Sequence, residues 1–236
     1  MRKTTVVLLP GTGSDAHFVR DAFADAVAAS GFDLTAVVPE PGDVVGGYRS
    51  ALDLAYADVE GPFVVGGISL GAAVATQWVL DNPGLAAGLI VAMPAWTGSG
   101  AGSPAAVSAA ATAQSLRENG LVATVDAMRA SAPGWLSDTL ERSWKAQWPQ
   151  LPVSMDDASA YRAPTVDELT AVDLPVAVVA AEDDPVHPLH VAEEWRNAMP
   201  GAELATFDLD VLGVRPGELG RLAMRALLRA TDHRAR

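Results

Sequence analysis

The chain has no cysteine, which excludes disulfides, thiol catalysis and cysteine-ligated metals outright. Basic residues are scarce. Sixteen Lys and Arg face 29 Asp and Glu, and the formal net charge of −13 has the wrong sign for gripping nucleic acid or an anionic membrane surface. No segment approaches the roughly 18 unbroken apolar residues that a membrane span needs. Histidine occurs only at His17, His187, His190 and His233. The acidic pairs Asp156-Asp157 and Glu193-Glu194 have no histidine at ligand spacing, so they read as solvated charge and no metal is expected. The net charge says little about a small neutral substrate.

What is present is a large apolar fraction, half of 236 residues, enough for one α/β domain with an insertion. Met1-Arg2-Lys3 precedes the apolar run Thr4-Thr5-Val6-Val7-Leu8-Leu9. That run is too short for the apolar region of a signal peptide and has no small-residue cleavage site, so it reads as a first strand in a soluble cytoplasmic protein. Short continuous apolar runs predict strands at 4–9, 34–38, 63–65, 88–91, 176–180 and 203–207. Longer amphipathic segments predict helices at 16–30, 47–58, 70–81, 189–199 and 216–230. Such alternation implies a mostly parallel central sheet with helices on both faces. The rhythm breaks at 96–172, where helical periodicity runs without a convincing strand. This segment opens on the flexible stretch Thr97-Gly98-Ser99-Gly100-Ala101-Gly102-Ser103-Pro104 and carries Trp135, Trp144 and Trp148. The expected division is a core of 1–95 and 173–236 with a helical cap of 96–172.

Three motifs carry the chemistry. Gly67-Ile68-Ser69-Leu70-Gly71 sits between the strand Phe63-Val64-Val65 and the helix beginning at Leu70. Glycines on either side of Ser69 would let the backbone turn sharply and lift the hydroxyl above the sheet. Leu8-Leu9-Pro10-Gly11-Thr12-Gly13-Ser14 follows the first strand, and Ala181-Glu182-Asp183-Asp184-Pro185-Val186-His187-Pro188 follows the strand at 176–180. Taken together, in this order, they resemble the α/β-hydrolase superfamily over nearly the whole chain, with the strand–Gly-x-Ser-x-Gly–helix arrangement as its nucleophile elbow.

The resemblance implies Ser69 as nucleophile and the N–H groups of Thr12 and Leu70 as oxyanion donors. It implies Asp184 as the acid that orients an imidazole, with Asp183 its nearest competitor. A rival reading takes Gly11-x-Gly13-x-x-Ala16 as a dinucleotide fingerprint with Glu40 on the ribose, but that leaves the elbow unexplained. One departure stands out. Relatives of this type place the basic histidine after the last strand, several residues before a proline. Here Phe207-Asp208-Leu209-Asp210-Val211-Leu212-Gly213-Val214-Arg215-Pro216 has none, and Leu209 or Asp210 falls at that spacing. His17, just beyond the Gly-rich loop, and His187, three residues after Asp184, are the remaining candidates for the base. His190 is expected to face solvent or the cap, His233 to lie in a disordered arginine-rich tail, and Asp210 would be a poor base unless desolvated.

The expected activity is cleavage of a small hydrophobic ester or thioester, with Trp96, Trp135 and Trp144 touching the substrate and no cofactor, metal, nucleic acid or membrane as partner. The missing histidine keeps two other classes open: the same fold with lyase, cyclase or transferase chemistry, and a non-catalytic ligand-binding module. The sequence leaves the oligomeric state open.

Overall fold

All six predicted strands form and pair in parallel. The structure, a computed structural model, describes residues 3–59 and 61–235; Met1 and Arg2 of the basic start, and Arg236 of the tail, lie outside the described residues. The sheet is built from β1 (Thr5–Leu9), β2 (Asp33–Ala36), β3 (Phe63–Ile68), β4 (Ala86–Ala92), β5 (Val176–Ala181) and β6 (Ala202–Phe207), in the order β2-β1-β3-β4-β5-β6. Every residue of β3 and of β5 is buried, as continuous apolar runs in a doubly covered parallel sheet require.

Period-two alternation splits the sheet residues between two cores. Val7, Leu9, Val65, Val91 and Val178 face α2 (Val44–Asp58), α3 (Leu70–Asp81) and α8 (Leu189–Ala198), where Tyr48, Trp78 and Trp195 fill the space. Val6, Leu8, Val64, Ile90 and Val179 face α1 (Ala16–Ala29) and the C-terminal helix Glu218–Arg234, where Phe23, Leu219 and Leu227 pack. Asp15 starts α1 by accepting the Phe18 N–H at 2.9 Å, and Asp43 does the same for Gly46 at 3.2 Å in α2.

Between β4 and β5 the chain forms α4 (Pro104–Ser131), α5 (Gly134–Gln147), α6 (Leu151–Ala160) and the single turn α7 (Val166–Leu169). The long α4 is interrupted at Gly120, whose φ of 77° and ψ of 174° are non-helical. These helices share a small core of their own, with Leu116, Val125, Trp144, Leu151 and Met155 among its members. The Gly/Ser stretch expected to be flexible is instead a closed neck. The Gly98 N–H donates to the Pro164 carbonyl at 3.0 Å, the Ala163 N–H returns to Gly98 at 2.9 Å, and Ser99 bridges Arg162. Backbone pairing thus joins the two ends of the insertion where it leaves the sheet.

After β6 come the short turn α9 (Val211–Val214) and α10 (Glu218–Arg234). His233, expected in a disordered tail, is the penultimate residue of α10, with Nδ1 3.1 Å from Glu203 Oε1 on β6. Arg229 reaches the same carboxylate at 3.6 Å, so the basic face of this helix docks onto an acidic edge strand. Among the described residues no helix is long and apolar enough to cross a membrane.

Candidate active site

Ser69 joins the end of β3 to the start of α3 with φ 54° and ψ −116°, a conformation that L side chains rarely hold unless the surroundings impose it. The surroundings here are two backbone bonds. The Ser69 N–H donates to Ala92 O at 2.8 Å, and Ser69 O accepts from Ala73 N–H at 3.1 Å. Strain therefore sits on the serine itself, and its glycine neighbours serve another purpose. A Cβ on Gly67 would lie 2.7 Å from Leu9 O, and one on Gly71 would lie 2.4 Å from Leu9 O and 2.5 Å from Pro10 O. Only glycines let the end of β1 pass this close beneath the elbow. Gly71→Ala must push that backbone aside, so a loss of about 3 kcal/mol is expected, which thermal denaturation should read as a fall of roughly 6–12 °C in Tm.

Although Ser69 is in the N-cap position of α3, its hydroxyl makes no capping bond. It is held instead by an imidazole: His187 Nε2 lies 2.9 Å from Ser69 Oγ. The other ring nitrogen, Nδ1, lies 2.7 Å from Asp184 Oδ2. A carboxylate can only accept, so this pairing puts the ring proton on Nδ1 and leaves Nε2 free to accept from the serine hydroxyl. Asp184 uses its second oxygen to shape the loop that carries both groups, with Oδ1 accepting the N–H of Val186 at 2.7 Å and of His187 at 3.2 Å. One carboxylate folds the turn with one oxygen and aims the ring with the other. Burial alone would raise the Asp184 carboxyl. The His187 hydrogen bond and charge, together with the two backbone N–H groups, outweigh it and hold the group below the ordinary carboxylate value.

The remaining histidines are elsewhere. His17 is exposed on α1 and pairs with Asp21, Nδ1 to Oδ2 2.8 Å, so the structure does not bring it to Ser69. His190 is exposed at the start of α8. Leu209, at the spacing singled out before Pro216, lines the cavity, while Asp210 is exposed and outside it. Asp183 does not orient the ring. Its Oδ1 accepts the Leu209 N–H at 2.7 Å and ties the His187 loop to the segment after β6.

The Gly-rich loop after β1 turns on itself through a Ser14 N–H to Gly11 O bond of 3.0 Å, with Gly13 at φ 67°. A Cβ on Gly11 would stand 3.5 Å from Ser69 Cβ, so this loop lies directly against the elbow. Among the described residues neither the Thr12 N–H nor the Leu70 N–H has an acceptor within the chain. The dinucleotide reading fails on sterics. Gly13, where a pyrophosphate would need open backbone, is roofed so closely that a Cβ there would sit 2.6 Å from Met155 Cε and 2.7 Å from Trp144 Nε1.

Above Ser69 is a cavity of about 460 Å³, bounded below by the two loops and above by α4, α5 and α6. Trp96, Trp135 and Trp144 all line it, as do Thr12, Asp184 and His187; Leu70 does not. Sequence reasoning missed Phe18, Met93, Leu136 and Met155 among its walls. Phe18 is the first large apolar residue after the α1 cap and stacks on Trp135 at 6.3 Å, and Met93 directly follows β4 with φ 47°. Position next to a strand end was the available signal for Met93; nothing local marks the others. Among the described residues no lysine or arginine lines the cavity, and the ionisable side chains on its walls are Asp184 and His187.

The family model described as the alpha/beta hydrolase family matches residues 6–216. No curated protein matches the sequence. Among solved structures, a carboxylesterase structure from the thaumarchaeon Nitrososphaera gargenis is similar at 17% identity and a TM-score of 0.76, covering 98% of this chain and 92% of that one. A bromoperoxidase from Bacillus anthracis is similar at 14% identity and 0.74, with 96% and 92% covered. A thermophilic esterase from Thermogutta terrifontis is similar at 18% identity and 0.68, with 97% and 90% covered. At these identities the likeness is one of fold.

Proposed function

The chain belongs to the alpha/beta hydrolase family, and from that premise we propose that it is a serine hydrolase that cleaves a hydrophobic ester or thioester through a Ser69 acyl-enzyme. One observation carries the reading: the relay Asp184 Oδ2, His187 Nδ1, His187 Nε2, Ser69 Oγ, with steps of 2.7 Å and 2.9 Å. The gap after β6 motivated a non-hydrolytic alternative, and an imidazole supplied by the β5 loop removes that motive.

In this mechanism Ser69 Oγ attacks the carbonyl carbon while His187 Nε2 takes the hydroxyl proton, and Asp184 stabilises the imidazolium. The carbonyl oxygen becomes an oxyanion received by the Thr12 and Leu70 N–H groups. Collapse expels the alcohol or thiol, which takes the proton from His187. Water then attacks the acyl-serine with the same base, and the acid leaves. Residues 96–172 act as the cap and residues 1–95 with 173–236 as the catalytic core. An apolar, tryptophan-walled cavity with no cationic side chain among the described residues favours a neutral acyl group, aliphatic or aryl, over a phosphorylated or carboxylated one.

A fluorophosphonate probe should label the intact protein at Ser69. In a series of p-nitrophenyl esters, kcat/KM should rise by up to about fourfold per methylene, the ~0.8 kcal/mol of burying one CH₂, until the cavity is full. Absence of both labelling and turnover, under conditions where an ordinary esterase reacts, would overturn the reading.

A further inference from the structure

The loop that carries the Thr12 N–H is gripped from above, by the helix that roofs the cavity. Gln147, buried near the end of α5, donates through Nε2 to the Ser14 carbonyl at 3.2 Å and to Ser143 Oγ at 2.8 Å. One turn earlier, Arg142 forms a two-pronged pair with Asp15, the residue that ends the loop and caps α1, at 3.0 and 3.1 Å. Burial would raise the Asp15 carboxyl, yet Arg142 and the Phe18 N–H hold it below its ordinary value. Between these two grips the Trp144 indole closes over Gly13. Within the loop itself, among the described residues, the Ser14 N–H to Gly11 O turn bond stands alone. The same α5 presents Trp135, Leu136 and Leu140 to the cavity.

We propose that Gln147, supported by the Arg142–Asp15 pair, is a positioning residue that sets the Thr12 N–H at its distance from the reacting carbonyl, so that α5 couples the substrate roof to the oxyanion site. This rests on the serine hydrolase reading. Gln147 touches neither substrate nor reacting atoms; it acts through the Ser14 peptide, two residues from the donor. Loss of its amide leaves the Ser14 carbonyl without that partner and frees the loop to shift. An error of an ångström in such a donor is felt in the transition state far more than in substrate binding.

The test compares the parent with Gln147→Met, which keeps length and burial but removes the donor, and with Arg142→Lys. Gln147→Met should lower kcat roughly 10- to 100-fold with KM changed less than about threefold. The affinity of an alkyl boronic acid, whose tetrahedral adduct with Ser69 needs the oxyanion donors, should fall in step with kcat. Hydrogen exchange of the Ser14 amide should accelerate about tenfold or more in the same variant. Arg142→Lys keeps the charge but loses the fork and should show the same pattern more weakly; it carries the test if Gln147→Met does not fold. Parent-like kcat, or a loss confined to KM with boronate affinity intact, overturns the proposal. The exchange measurement is independent of substrate. Faster exchange in a protein that never turns over an ester would show the grip and sink the hydrolase reading, whereas unchanged exchange and unchanged kcat in an active enzyme would sink the grip alone.

Discussion

Ser69→Ala should remove ester hydrolysis by a factor on the order of 10⁴–10⁶, the range seen when a nucleophile that works as part of a unit is deleted. Fluorophosphonate labelling should disappear with it, while the fold stays intact. Stability gives a second readout, because the side chain and the backbone pull in different directions. Alanine loses the 2.9 Å bond to His187, worth about 1 kcal/mol net, yet remains trapped at φ 54°. Ser69→Gly loses the same bond but relieves that strain, which costs of order 1–3 kcal/mol in a residue with a Cβ. The glycine variant should therefore melt above the alanine variant, with both inactive. Substantial turnover by either would mean that the chemistry does not pass through this hydroxyl.

His187→Ala should be nearly as damaging, again on the order of 10⁴-fold or more in kcat, whereas His17→Ala should stay within about twofold of the parent. The contrast follows from geometry. One ring joins Asp184 to Ser69, and the other is paired with Asp21 on an exposed helix face. Because serine and base act as one device, the double variant Ser69→Ala, His187→Ala should be scarcely worse than either single change. Asp184 adds a pH criterion. Its carboxyl is held below its ordinary value of 3.8, so its charge is in place above that pH and is lost only as pH falls through the depressed value. An acid limb of kcat/KM well above that range therefore does not belong to Asp184. Near-parent turnover in His187→Ala, or a deep loss in His17→Ala, would reassign the base.

The layers of this protein and its elbow are legible in residue order alone, because both are local. Runs such as Val176-Ala177-Val178-Val179-Ala180-Ala181 are too apolar for any place but a sheet covered on both faces, and Gly67-Ile68-Ser69-Leu70-Gly71 between strand and helix has few other uses. Even there the reason was only half legible. Spacing shows that glycines are wanted, but the placing of Leu9 O, 2.4 Å from where a Cβ on Gly71 would stand, belongs to the pairing of β1 with β3, which no local pattern contains. Which imidazole reaches Ser69 was beyond sequence reasoning for the same cause. His17 and His187 each stand beside a motif, and nothing in their neighbours decides between them. The choice is made by the sheet order, which sets β5 two strands from β3, and by Asp184, which curls its own loop until the ring 118 residues from Ser69 in the chain comes within hydrogen-bond reach. The grip of α5 on Ser14 and Asp15 was equally invisible, since it joins segments about 130 residues apart. Hydrophobic period and backbone sterics act over a few residues and can be read in order; hydrogen bonds between distant loops exist only once the sheet has brought those loops to the same edge.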